Sequence, residues 1–138
     1  MTINNFIKTT DLIHRAMDAS LIRENIIANN LANQEVPNFK RSDLAFESEL
    51  KKALDSEKRK PMFEAKMTSD KHMPFYKPID YANVEPRRIL DYTSTSKANG
   101  NNVDAEQEHT LALKNQMMYT LLAQSQAFEY GQINLVLR

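Results

Sequence analysis

Apolar positions along this chain fall in helical spacing at both ends and lose that spacing in the middle. Over residues 3–33 a stripe runs through Phe6, Leu12, Ile13, Ala16, Met17, Ala19, Ile26, Ile27 and Leu31. That recurrence predicts an amphipathic helix, broken on one side by Arg23 and Glu24, with Asn4 or Thr10 as candidate caps. Pro37 biases Val36 out of the helical region and predicts a turn. A second, shorter helix is expected from about 43 to 58. Ser42 or Asp43 would cap it, and Leu44, Phe46, Leu50, Ala53 and Leu54 form its apolar face. Its basic end, Lys51, Lys52, Lys58, Arg59 and Lys60, suits the helix dipole, and Pro61 stops it.

The stretch 61–101 holds Pro61, Pro74, Pro78 and Pro86 and shows no helical period. It reads as loop with two short extended pieces, Phe75-Tyr76 and Ile89 to Thr93. Ser94 to Asn102 is a linker by composition. Helical spacing returns over 104–136, through Leu111, Met118, Leu121, Leu122, Phe128, Leu135 and Val136. Asp104 followed by Gln107 resembles a capping box, and Glu106 and Glu108 place negative charge in the first turn. The expected fold is mainly α. Long terminal helices pair in a coiled-coil-like arrangement, beside a shorter helix and an irregular middle with short strands. The divisions expected are 1–36, 37–60, 61–102 and 103–138, within one structural domain. Two such helices cannot bury both stripes without further partners.

Asn25, Asn29 and Asn33 stand four residues apart and stack on one helical face. Asparagine is a mediocre helix former because its side chain competes for main-chain hydrogen bonds. Three in a ladder are either solvated or used for bonds to another chain or to the following turn.

Charge and composition narrow the chemistry. Lys plus Arg and Asp plus Glu number 18 each in 138 residues. This balance gives no electrostatic case for nucleic acid or an anionic membrane. With no cysteine, disulfides and thiolate metal sites are excluded. His14, His72 and His109 lack ligand spacing. Ser20, Ser42 and Ser48 have no nucleophile-elbow context. The Glu47/Glu49 and Glu106/Glu108 pairs sit two apart and face different ways on a helix. Gly100 and Gly131 make no phosphate loop. No enzyme, cofactor, metal or small-molecule substrate is expected. Neither a cleavable signal nor a membrane-length apolar run is visible, so export would read an uncleaved N-terminus.

The run from Asn25 through Ala28, Asn29, Asn33, Pro37, Phe39 and Lys40 resembles the N-terminal signature of the bacterial flagellar axial family, the rod and hook proteins. Val36 stands where that family usually has Thr, Asn38 where it has Gly, and Phe39 where it has Tyr. Asn38 is tolerable there because asparagine visits left-handed backbone more readily than other side chains. Gly100 to Glu108 is similar to the motif that opens the family's C-terminal helix, with Asn102, Val103, Asp104 and Glu108 in it and Asn115 and Tyr119 beyond. The pieces 43–52 and 67–74 resemble the proximal-rod branch.

This resemblance implies a structural subunit of the flagellar basal body, in a periplasmic tube that transmits torque and encloses the export channel. It implies passage through the flagellar type III apparatus. The neighbours it implies are further copies, the rod proteins FlgC, FlgF and FlgG, FliE, and the inner-ring and export-gate components. The motif residues would be subunit contacts. Asn25, Asn29 and Asn33 would fix the turn and touch a neighbour, Pro37 and Phe39 would shape it, and Val103, Asp104, Glu108 and Tyr119 would do the matching work. The rival expectation is a small cytoplasmic helical adaptor or export chaperone that binds a partner helix.

Overall fold

The computed structural model describes residues 3–58, 66, 68, 69, 71, 78–94 and 97–137. The expected strand at Phe75-Tyr76, the stop at Pro61 and most of the 67–74 piece lie outside these residues. In chain order the elements are α1 (Ile3–Ala32), β1 (Ser42–Ala45), α2 (Glu47–Lys58), a one-turn 3-10 helix (Tyr81–Asn83), β2 (Arg87–Leu90) and α3 (Ala105–Val136). The chain divides into two compact units, one made of residues 1–44 with 88–138, the other of 45–87. The fold is mainly helical, as the apolar periodicity predicts.

In the first unit α1 and α3 pack side by side. The run is antiparallel, because Asn30 near the end of α1 meets Glu108 in the first turn of α3, while Ser20 meets Asn115 further along. The side that α1 buries is Ile13, Ala19, Ser20, Ile26, Ile27 and Asn30. The helix begins at Ile3, so Thr10 is an interior residue and not a cap.

α3 departs from the expected stripe. Its buried residues are Glu108, Asn115 and Gln126, and half-buried Ala112, Tyr119, Leu122, Glu129 and Ile133 continue the same seam. From 108 to 126 is 18 residues, about five full turns at 3.6 residues per turn, so these three share one line. Most of the expected stripe lies elsewhere: Met118, Leu121 (61% exposed), Phe128, Leu135 and Val136 face outward together with Leu113 and Met117. α3 is apolar on more than one side, and a hairpin covers only one of them.

The second unit holds α2 and the 3-10 turn, with Phe46, Ala53, Ser56 and Val84 buried. The Ser56 hydroxyl accepts from the Ile79 amide at 2.8 Å and donates to the Ala53 carbonyl at 2.7 Å. α2 starts at Glu47, later than the expected 43, and the Phe46 carbonyl takes the first helical bond, from Leu50. Ser42 and Asp43 are not its caps. They belong to β1, where Ser42 and Leu44 point inward and Asp43 outward. That period-two burial is a strand pattern, and Leu44 and Phe46 fit it as readily as a helical face.

Candidate functional site

The site is where the turn after α1 meets the loop before α3. At the end of α1 the last carbonyls have no helical partner. Asn33 donates twice to the Asn29 carbonyl, from its amide at 3.2 Å and from its carboxamide at 2.7 Å. Asn101, fully buried, serves three carbonyls of the turn that follows, two of them sharing one hydrogen. Its Nδ2 donates to the carbonyls of Asn33, Gln34 and Val36 at 2.9, 3.1 and 2.8 Å, and its Oδ1 accepts from the Val103 amide at 2.7 Å. One carboxamide thus ends α1 and shapes the entry to α3. Lys97 adds a cation at this helix end, its Nζ donating to the Gln34 carbonyl at 2.7 Å, where the dipole favours positive charge. Lys40 returns the contact, donating to the Gly100 carbonyl at 2.9 Å.

Two residues at the crossing have left-handed backbone, Asn38 at φ 60° and Gly100 at φ 79°. The Asn38 amide donates to the Asn99 carbonyl at 3.1 Å. A Cβ added at Gly100 would lie 2.6 Å from Asn38 Oδ1. The atom met is the tip of an exposed side chain, which can turn aside, so the backbone angle is the larger constraint. Gly100→Ala is expected to lower stability by about 1–2 kcal/mol from the backbone. Asn38→Gly in the same chain removes the side-chain contact and should return only a small part of the loss. Urea denaturation of the single and double variants reads both effects.

Below the crossing lies a second layer. The Asn30 carboxamide pairs with both main-chain groups of Ser42, donating to its carbonyl at 2.8 Å and accepting from its amide at 3.1 Å. It also donates to Glu108 Oε2 at 3.2 Å. The other carboxylate oxygen accepts from Arg41 Nε at 2.5 Å, and Glu108 has no exposed surface. Burial pulls the Arg41 guanidinium down, but the Glu108 and Asp43 carboxylates more than offset it and hold its pKa above the ordinary value. Asn102 makes the third carboxamide contact. Its Oδ1 accepts from the Arg41 amide at 2.6 Å and its Nδ2 donates to the Asp91 carbonyl at 2.8 Å. The Asp91 carboxyl is held well below the usual range, first by the Ser94 hydroxyl and then by the amides of Ser94 and Thr93.

The residues singled out in the sequence divide into two groups. Asn33, Asn102, Glu108 and Lys40 are within this clasp, Val103 is fully buried beside it, and Asp104 caps α3 by accepting from the amides of Glu106 and Gln107. Asn115 sits further down the helix seam, donating to the Ser20 carbonyl at 2.9 Å, with Tyr119 half-buried one turn on. Asn25, Ala28, Asn29 and Pro37 are exposed, and Phe39 is half-buried. Asn29 reaches Arg88 at 3.5 Å. Asn30, Arg41, Lys97 and Asn101 carry much of the clasp and were not among the candidates. A signal for Asn30 existed: it falls three and four residues after Ile27 and Ile26, on the apolar stripe, where a polar side chain must find a partner. Ser94 to Asn102 is not a simple linker, since Asn101 and Asn102 are buried and bonded to main chain.

Chemically this arrangement is a clasp. Its carboxamides, lysines and ion pair are turned on the protein's own main chain and on each other. Among the described residues no group of three His, Asp or Glu could hold a metal ion, and no described helix is long and apolar enough to cross a membrane.

Residues 14–40, the later part of α1 and the turn, match the family model described as "Flagella basal body rod protein". The chain is 43% identical over 136 residues to the flagellar basal body rod protein FlgB of Borreliella burgdorferi, covering 99% of this chain and 100% of the relative. It belongs to the FlgB family of flagellar basal-body rod proteins. FlgB of Borrelia hermsii is 38% identical over 99% of this chain and 100% of its own. FlgB of Bacillus subtilis is 28% identical over 96% and 95%. These FlgB relatives span both terminal helices and the clasp, and they mark the chain as a structural rod component of the flagellar basal body.

Proposed function

We propose that this chain is a proximal-rod subunit, joining the inner-membrane ring and export gate to the rest of the rod, transmitting torque and enclosing the export channel. The observation that carries this reading is α3, whose outward side keeps Leu113, Met117, Leu121, Phe128 and Leu135 exposed. An apolar strip of this kind on a long helix marks a surface meant for a neighbour. In the assembled tube it is buried, and the interface offsets the entropy of ordering the helices. The clasp holds both helices for this, leaving Asn25, Ala28, Asn29 and Pro37 outward as contacts. The neighbours are further copies, FlgC, FlgF, FlgG, FliE and the inner-ring and export-gate components. The chain works as a structural part and not as an enzyme, in the periplasm, after export through the flagellar type III apparatus without cleavage. The adaptor reading does not account for the end-to-end likeness to rod proteins.

Leu113→Lys with Leu121→Lys tests this. The double variant should keep the helical content of the free chain, because both side chains are exposed, yet be absent from purified basal bodies by mass spectrometry. Normal incorporation in fixed ratio to the other rod proteins would overturn the role given to α3.

A further inference from the structure

The β1–β2 ribbon carries an inference that stands apart from the rod reading. The ribbon is antiparallel, since Arg41, just before β1, accepts at its carbonyl from the amide of Asp91, just after β2, at 2.9 Å. Hydrogen-bonded pairs in such a ribbon recur at every second residue. After Arg41 and Asp91 the next is Asp43 with Ile89. The residues between, Ser42 and Leu44 on β1 and Arg88 and Leu90 on β2, turn their main-chain groups away from the ribbon.

On β1 that outer edge is closed at Ser42, because Asn30 takes both its amide and its carbonyl. The end of the ribbon is closed too, by the Asn102 carboxamide wedged between Arg41 and Asp91. Among the described residues the outer edge of β2 has no such cover. The sheet has two strands among the described residues, and no described residue hydrogen-bonds the main chain of Arg88 or Leu90 from that side. All four residues of β2 are exposed. Ile89 is 52% exposed and Tyr92, just beyond, 71%. A two-stranded ribbon is marginal alone and gains from a third strand, and an open edge is a template for one.

Charge selects the occupant. β2 carries Arg87 and Arg88 and no acidic residue, with Ile89 and Leu90 following. We propose that the free edge of β2 is a β-augmentation site for an extended segment of a partner protein in which pairs of acidic residues alternate with pairs of apolar ones. Main-chain bonds to Arg88 and Leu90 would bind it, and because each face of β2 carries one arginine and one aliphatic side chain, acidic side chains beside Arg87 and Arg88 with apolar ones beside Ile89 and Leu90 would select it.

The test uses the full chain and two labelled peptides, one repeating Glu-Glu-Val-Val and one repeating Lys-Lys-Val-Val, read by fluorescence anisotropy. The glutamate peptide should bind and the lysine peptide should not. Leu90→Pro removes the outward amide and leaves the bonds to β1 in place. It should weaken the glutamate peptide about tenfold or more, equivalent to the loss of about one good hydrogen bond. Arg88→Glu should reverse the preference between peptides. Where Leu90→Pro lowers the melting temperature, a glutamate peptide N-methylated on its edge-facing amides carries the test on the unaltered protein and should not bind. Equal binding of both peptides, or binding indifferent to N-methylation, overturns the site. So does a concentration-dependent dimer that Leu90→Pro or Arg88→Glu converts to monomer, since a second copy would then be the occupant.

Discussion

Arg41→Ala is expected to destabilise the chain by about 3–5 kcal/mol, the range for removing one partner of a buried pair and leaving the other charge uncompensated. Glu108 has no exposed surface. Without Arg41 Nε its only remaining side-chain donor among the described residues is Asn30, at 3.2 Å. The penalty comes from the stranded carboxylate and not from the intrinsic worth of the pair. Arg41→Met combined with Glu108→Leu, which removes both charges together, should therefore be less destabilised than Arg41→Ala. Denaturant midpoints of the three proteins decide it. A double variant as unstable as Arg41→Ala would mean that packing, and not the unpaired charge, sets the loss.

Asn101→Ala is the second large effect. That side chain bonds three carbonyls in the turn after α1 and one amide at the entry to α3, and it is itself fully buried. Each buried polar group left without a partner costs about 1–3 kcal/mol. All three carbonyls keep another donor, Lys97 at Gln34 and the amides of Val36 and Phe39 at Asn33 and Val36, so the Val103 amide is the group most exposed to the change. A loss of about 1–3 kcal/mol is expected. Asn101→Asp should be at least as destabilised, because it keeps the acceptor for Val103 but sets an anionic oxygen against the carbonyls at the negative end of the helix. Hydrogen exchange should localise the damage, with amides of the last turn of α1 losing protection before those of its middle. Uniform loss along α1 would instead make Asn101 a determinant of the whole hairpin.

Both long helices were legible from apolar spacing, and α3 begins where Asp104 predicted it. The left-handed backbone at Asn38 was also legible, because that position asks for glycine and asparagine is the usual substitute. β1 was not. Ser42 to Phe46 satisfies both a two-residue and a helical spacing over so short a run, and the choice is made by Asn30 from twelve residues upstream. Residues 94–102 have a linker's composition, yet composition does not distinguish an asparagine facing water from one facing three carbonyls. The orientation of α3 was hidden for a related reason. The helix is apolar on several sides, and polar Glu108 and Asn115 turn inward only because Arg41, Asn30 and the Ser20 carbonyl are there to receive them. The asparagine ladder was legible as a pattern but not in its use: Asn33 bonds the Asn29 main chain, while Asn25 and Asn29 stay at the surface.

The contacts that join the two halves of the clasp are long in sequence. Arg41 and Glu108 are 67 residues apart, Asn33 and Asn101 68, and Asn30 and Glu108 78. Contacts of such separation must meet the entropy of closing a long loop before they return anything, and they form slowly. A chain made from its N-terminus can wind α1 early, but the turn that ends it lacks its Lys97 and Asn101 donors until those residues have been synthesised, and Asn30 and Arg41 lack their shared carboxylate until Glu108 follows. Until then Ser42 has only Asn30. The order of synthesis thus keeps the junction unlatched through most of the chain's production.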